Sequence, residues 1–90
     1  QEIIAKINYY SAQLSGLQKQ ISIATENVQN YRRLLAAEEQ KFRLGESSVF
    51  EINQWETQLI DAELKLLALQ TKYARTEAAT LWSLGIFARR

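Results

Sequence analysis

Apolar side chains recur along the first half of the chain at alternating intervals of four and three residues: Ile3, Ile7, Tyr10, Leu14, Leu17, Ile21, Ala24, Val28, Tyr31, Leu35 and Phe42, with Glu38 the one polar member of the series. A mean spacing near 3.5 residues, held for more than five heptads, is the period of an α-helix that needs a partner helix along its whole length. Composition supports the same reading. Ninety residues with no Pro, no Cys and three Gly supply neither the turns of a sandwich or barrel nor a disulfide framework. Hydrophobic residues at 47% and charged residues at 23% are too apolar for a disordered chain. They are also too interleaved for a membrane span, which needs roughly 20 apolar residues in a row. Eleven basic against ten acidic residues leave a net charge of +1, which marks neither a nucleic-acid partner nor an anionic lipid surface. With no His and no Cys, the usual metal ligands and the usual nucleophile and base pairs are missing, so no cofactor and no metal are expected. The helical period is already running at Ile3, which reads as a segment of a longer protein.

The period breaks once, at Leu44-Gly45-Glu46-Ser47-Ser48. Lys41 and Arg43 just before it suit the negative end of a helix, and Gly45 suits the left-handed cap position. Ser48 followed three residues later by Glu51 is a capping box that opens a second helix. That helix carries Ile52, Trp55, Leu59, Ala62, Leu66, Leu69 and Tyr73 at threes and fours, and beside them a second stripe, Ile60, Leu64, Leu67, Ala74, Ala78 and Leu81, interrupted by Thr71. Gly85 is expected to end it. The expected organisation is a first long helix over 1–44, a turn over 45–48, a second long helix over 49–85 and a tail over 86–90.

So short a turn makes the two helices antiparallel neighbours, and facing residues then have numbers of nearly constant sum. A sum of about 90 or 91 pairs Phe42 with Val49, Leu35 with Trp55, Tyr31 with Leu59, Val28 with Ala62, Ala24 with Leu66, Ile21 with Leu69, Leu17 with Tyr73, Tyr10 with Leu81 and Ile7 with Leu84. Two stripes read independently thus interlock over a length of roughly 60 Å. The fold class is all-α, a long antiparallel two-helix coiled-coil hairpin.

The shared seam reads as ordinary coiled-coil core. The second stripe does not, because in a lone hairpin Ile60, Leu64, Leu67 and Leu81 would meet water, and a patch of that kind marks a helix-helix interface. Further helices are implied, from copies of the chain or from its parent, so the hairpin is a fragment of a helical bundle or tunnel. Catalysis has little support: Glu38 and Glu39 are neighbours in sequence, and adjacent helical residues point about 100° apart. Asp61 with Lys65 and Glu39 with Arg43 are spaced as weak surface pairs, and Arg32-Arg33 reads as a solvated face before a phosphate site. Trp82 and Phe87 fit core better than an aromatic anchor near a membrane surface.

The run Gln40-Lys41-Phe42-Arg43-Leu44-Gly45-Glu46-Ser47-Ser48-Val49-Phe50-Glu51-Ile52 resembles the second periplasmic helical hairpin of TolC-type outer membrane efflux proteins. The likeness runs on through Gln58-Leu59-Ile60-Asp61-Ala62-Glu63-Leu64 to Leu81-Trp82-Ser83-Leu84-Gly85, covering about residues 28 to 85. The resemblance implies a trimeric parent in the outer membrane of a Gram-negative bacterium. Strands absent from this segment would form its membrane barrel, and long helices its periplasmic tunnel for export of small molecules. It implies that Leu44, Gly45, Glu46 and Ser47 form the periplasmic tip, where a membrane-fusion adaptor docks. Glu51 falls where some members place an acid in the ring lining the tip constriction, and Gln54 stands where some have a second acid, leaving a weaker cation site. Ser47 replaces a basic residue that some relatives use in gating contacts.

Two functions from different classes follow. One is a non-enzymatic channel component, tunnel wall and adaptor-docking tip. The other is a generic helical-hairpin scaffold that self-associates or takes a partner helix through its second stripe.

Overall fold

A computed structural model describes residues 2–88, the side chains of residues 3, 84 and 86–88 excepted. Two helices fill it: α1, Glu2–Arg43, and α2, Val49–Ala88. They lie side by side as one antiparallel hairpin with principal extents of 69 × 16 × 13 Å. The length matches a helix of this size at about 1.5 Å per residue, so neither helix is folded back on itself.

The core is the single seam between the helices. Leu17, Val28 and Ala62 are buried at 5%, 3% and 8% exposure, and Leu14, Ile21, Ala24, Tyr31 and Leu35 are half-buried on the same stripe of α1. Opposite them on α2, Ile52, Trp55, Leu59, Leu66, Leu69 and Tyr73 are half-buried. Three side-chain contacts tie the register. The Gln18 amide donates to the Tyr73 hydroxyl at 3.1 Å, Arg32 pairs with Glu63 at 3.1 Å, and the rings of Tyr31 and Trp55 lie 6.3 Å apart. Their numbers add to 91, 95 and 86, straddling the expected sum by one helical turn each way, as knobs into holes require.

The structure departs from the sequence reading in several places. Leu81 does not face Tyr10: it is 64% exposed, while Thr76, Thr80 and Ser83 are half-buried. The heptad phase of Tyr73 therefore continues through small hydroxylated residues, whose hydroxyls turn back onto their own helix, Thr76 Oγ1 to the Lys72 carbonyl at 2.9 Å and Thr80 Oγ1 to that of Thr76 at 2.8 Å. The expected pair Phe42 and Val49 stays largely open, at 43% and 58% exposure, because the chain is already diverging into the turn. Trp82 is solvent-facing at 70%, not core, and Leu84 and Phe87 lie outside the described side chains. Gly85 does not stop α2, which runs on to Ala88: Gly45 alone among the described glycines has the positive φ of a helix stop. Neither Asp61 with Lys65 nor Glu39 with Arg43 closes to an ion pair; among the described residues only Arg32 and Glu63 do so. Exposed pairs gain too little to hold two long side chains still.

Candidate functional site

The turn is built from two interlocking caps. At the end of α1, Gly45 takes φ of 79°, donates its amide to the Phe42 carbonyl at 3.0 Å, and lets the Glu46 amide reach the Lys41 carbonyl at 2.8 Å. This is a Schellman motif, and a residue with a Cβ adopts its central conformation only at a cost. Three residues on, Ser48 caps α2: its Oγ accepts from the Glu51 amide at 3.4 Å and its carbonyl from the Ile52 amide at 3.2 Å.

Between the caps, Ser47 touches two carboxylates. Its hydroxyl is 2.6 Å from a Glu51 oxygen and also within hydrogen-bond reach of Glu38, back on α1, so its single proton is shared between the two. The Ser47 hydroxyl holds the Glu51 carboxyl below its usual value; slight burial opposes it, and the Ser48 backbone and the charge of Lys41 reinforce it. The structure thus brings together Glu38, Ser47 and Glu51, a grouping that sequence reasoning missed. The signal was present: Glu38 is the one polar member of an otherwise apolar seam.

Around this polar centre stands exposed apolar surface, with Leu44 at 67%, Val49 at 58% and Phe50 at 69%. Gly45 and Glu46 are open to solvent, as are Glu51 and Gln54. The end of the hairpin is therefore an apolar rim about a fixed turn, a surface suited to contact. Among the described residues no group of three or more His, Cys, Asp or Glu is placed to hold a metal ion.

Away from the turn, the second stripe of α2 is uncovered, with Ile60 at 54%, Leu64 at 57%, Leu67 at 58% and Leu81 at 64% exposure. Phe50, Asn53 and Thr57 extend it toward the turn at the same threes and fours, so it spans nearly the whole helix. It is a separate face of the helix, not a margin of the core. At 3.5 residues per turn its centre lies roughly 150° from the centre of the α1-facing seam. On α1 the corresponding outer positions are Asn8, Ala12, Ser15, Lys19, Ser22, Glu26 and Gln29, small or polar. The two helices are therefore unlike on their outer sides. Over the middle of the hairpin the small side chains of Ala24 and Ala62 leave an open groove of about 340 Å³ edged by Asn27, Tyr31, Gln58, Asp61 and Lys65.

Residues 1–85 match the family model described as outer membrane efflux protein. No curated protein and no solved structure gives a significant match.

Proposed function

We propose that this chain, which belongs to the outer membrane efflux protein family, is a periplasmic hairpin of a trimeric channel, with α2 in the tunnel wall and the turn as the tip on which a membrane-fusion adaptor docks. Proteins of the family are efflux channels and not enzymes, and the chain is a component of such a channel. No helix among the described residues is long and apolar enough to cross a membrane. In this reading the membrane is crossed by barrel strands elsewhere in the parent, and the small-molecule cargo passes along the helices.

The observation that carries the reading is the pair of seams on α2. A helix with apolar seams on nearly opposite sides has a neighbour on each, which is the condition of a helix within a wall and not of one in a closed two-helix bundle. Neighbours set at roughly 150° bend the row of helices at α2 instead of leaving it straight. Glu51 and Gln54 fall on the wider flank between the two seams, the convex side of a wall so curved, so a constriction role for them stands on the resemblance and not on these angles. The apolar rim of Leu44, Val49 and Phe50 supports docking at the tip.

Sedimentation tests the wall. The chain is expected to form dimers or larger species at micromolar concentration, and Leu64→Glu with Leu67→Glu is expected to return it to monomer with its helicity kept. In the intact parent the same pair of substitutions should abolish trimers and export together. A chain that stays monomeric at high concentration overturns the wall reading. Loss of association with export intact favours the scaffold instead.

A further inference from the structure

A hairpin with a long seam has a competitor in which the turn straightens and two chains exchange their second helices. Every seam contact of the closed form recurs there between chains, so the seam cannot choose between the two states. The choice falls to contacts that exist only when the chain bends. The backbone caps at Gly45 and Ser48 are one such set. The Ser47 to Glu51 hydrogen bond is not, since its spacing of four residues is as available in a straight helix. Glu38 and Ser47 are nine residues apart, about 13 Å along a continuous helix, and hydrogen-bond only because the chain reverses between them.

We propose that Glu38 and Ser47 form a clasp that holds the chain in the closed hairpin against exchange. This accounts for the polar residue in the seam: Glu38 is half-buried at a position where every equivalent residue on α1 is apolar or aromatic. The seam gives up apolar contact there, and the loss is equal in both states. Ser47 has one proton to give, and only in the closed state can Glu38 share it with Glu51. A polar residue at a seam position that selects one assembly over another at some cost in stability is an established use of such positions. The inference rests on the hairpin alone and does not depend on the channel or docking reading.

Disulfide trapping reads the choice directly, since the chain contains no Cys of its own. Val28→Cys with Ala62→Cys places two thiols inside the seam, at positions 3% and 8% exposed, where side-by-side association through the outer stripe of α2 does not bring them together. The closed hairpin crosslinks within one chain and the exchanged form between two. In this background Glu38→Leu and Ser47→Ala are expected to raise the interchain fraction roughly tenfold at equal helicity. Glu38→Gln, which keeps an acceptor for the hydroxyl, is expected to stay near the parent ratio. Glu38→Leu completes the apolar seam, so failure to fold does not confuse its result. The clasp is overturned if Glu38→Leu and Ser47→Ala both leave the ratio within about twofold of the parent. It is equally overturned if Glu38→Gln shifts the ratio as far as Glu38→Leu.

Discussion

The side-chain amide of Gln18 donates to the hydroxyl of Tyr73 at 3.1 Å, and toward the open end from this contact the seam changes character. On α1 it continues as Leu14, Tyr10 and Ile7, but on α2 as Thr76, Thr80 and Ser83, and Ile7 is left 37% exposed. Thr80 stands opposite Tyr10 by number. Thr80→Leu should therefore fill a thin part of the seam and stabilise the hairpin by about 1 kcal/mol, read as a higher urea midpoint with unchanged m-value. A lower midpoint would mean that this end is already closely packed.

Between Leu17 and Val28, in the middle of the hairpin, the seam is at its tightest. Leu17→Ala should cost about 2 to 3 kcal/mol and Val28→Ala about 1.5 to 2 kcal/mol, since each removes methyl groups from a buried site. Ile23→Ala, on a side chain 61% exposed, should change stability by less than about 0.5 kcal/mol. Equal effects at Val28 and Ile23 in urea melts would contradict the seam as the core among the described residues.

The seam was legible in the sequence because burial on a helix repeats with the helix, and eleven of twelve stripe positions on α1 are apolar or aromatic. The fate of Leu81 was not. Both stripes of α2 repeat at threes and fours, and where the core stripe turns to Thr and Ser, hydrophobicity points to the wrong one. Phe50 escaped notice for a related reason: polar Asn53 and Thr57 separate it from Ile60, and the period joins them only when residues are counted regardless of polarity. At the turn, Gly45 and Ser48 declared their caps through local chemistry, since each cap is a matter of a few adjacent residues. Glu38 with Ser47 could not be read that way, because their contact depends on the path of the reversed chain.

Acid should weaken the turn through Glu51. Its folded carboxyl titrates below the ordinary value of 4.5, chiefly because of the Ser47 hydroxyl, so the folded state favours the charged form more than the unfolded state does. The contribution is present above pH 4.5 and is lost as pH falls below it through the depressed folded value. Thermal melts between neutral pH and pH 3 should show a steeper acid loss for the parent chain than for Glu51→Gln. Parallel acid limbs would remove Glu51 from the account.

Gly45 separates folding from docking. Its φ of 79° is unfavourable for any residue with a side chain, yet a Cβ placed there meets no atom within 4 Å. Gly45→Ala should therefore cost roughly 1 kcal/mol in backbone strain alone and leave both helices formed. Gly45→Trp carries the same strain and adds a large ring that projects into solvent from the middle of the apolar rim. In the intact parent, Gly45→Ala should keep adaptor binding and drug export, while Gly45→Trp should lose both at a helicity and melting temperature close to those of Gly45→Ala. The comparison of the two variants holds strain constant and changes bulk. If Gly45→Trp still binds adaptor and still exports, Leu44 to Ser47 are not the docking tip. If instead Gly45→Ala fails as completely as Gly45→Trp, the left-handed turn itself, and not free space above it, is what the adaptor requires.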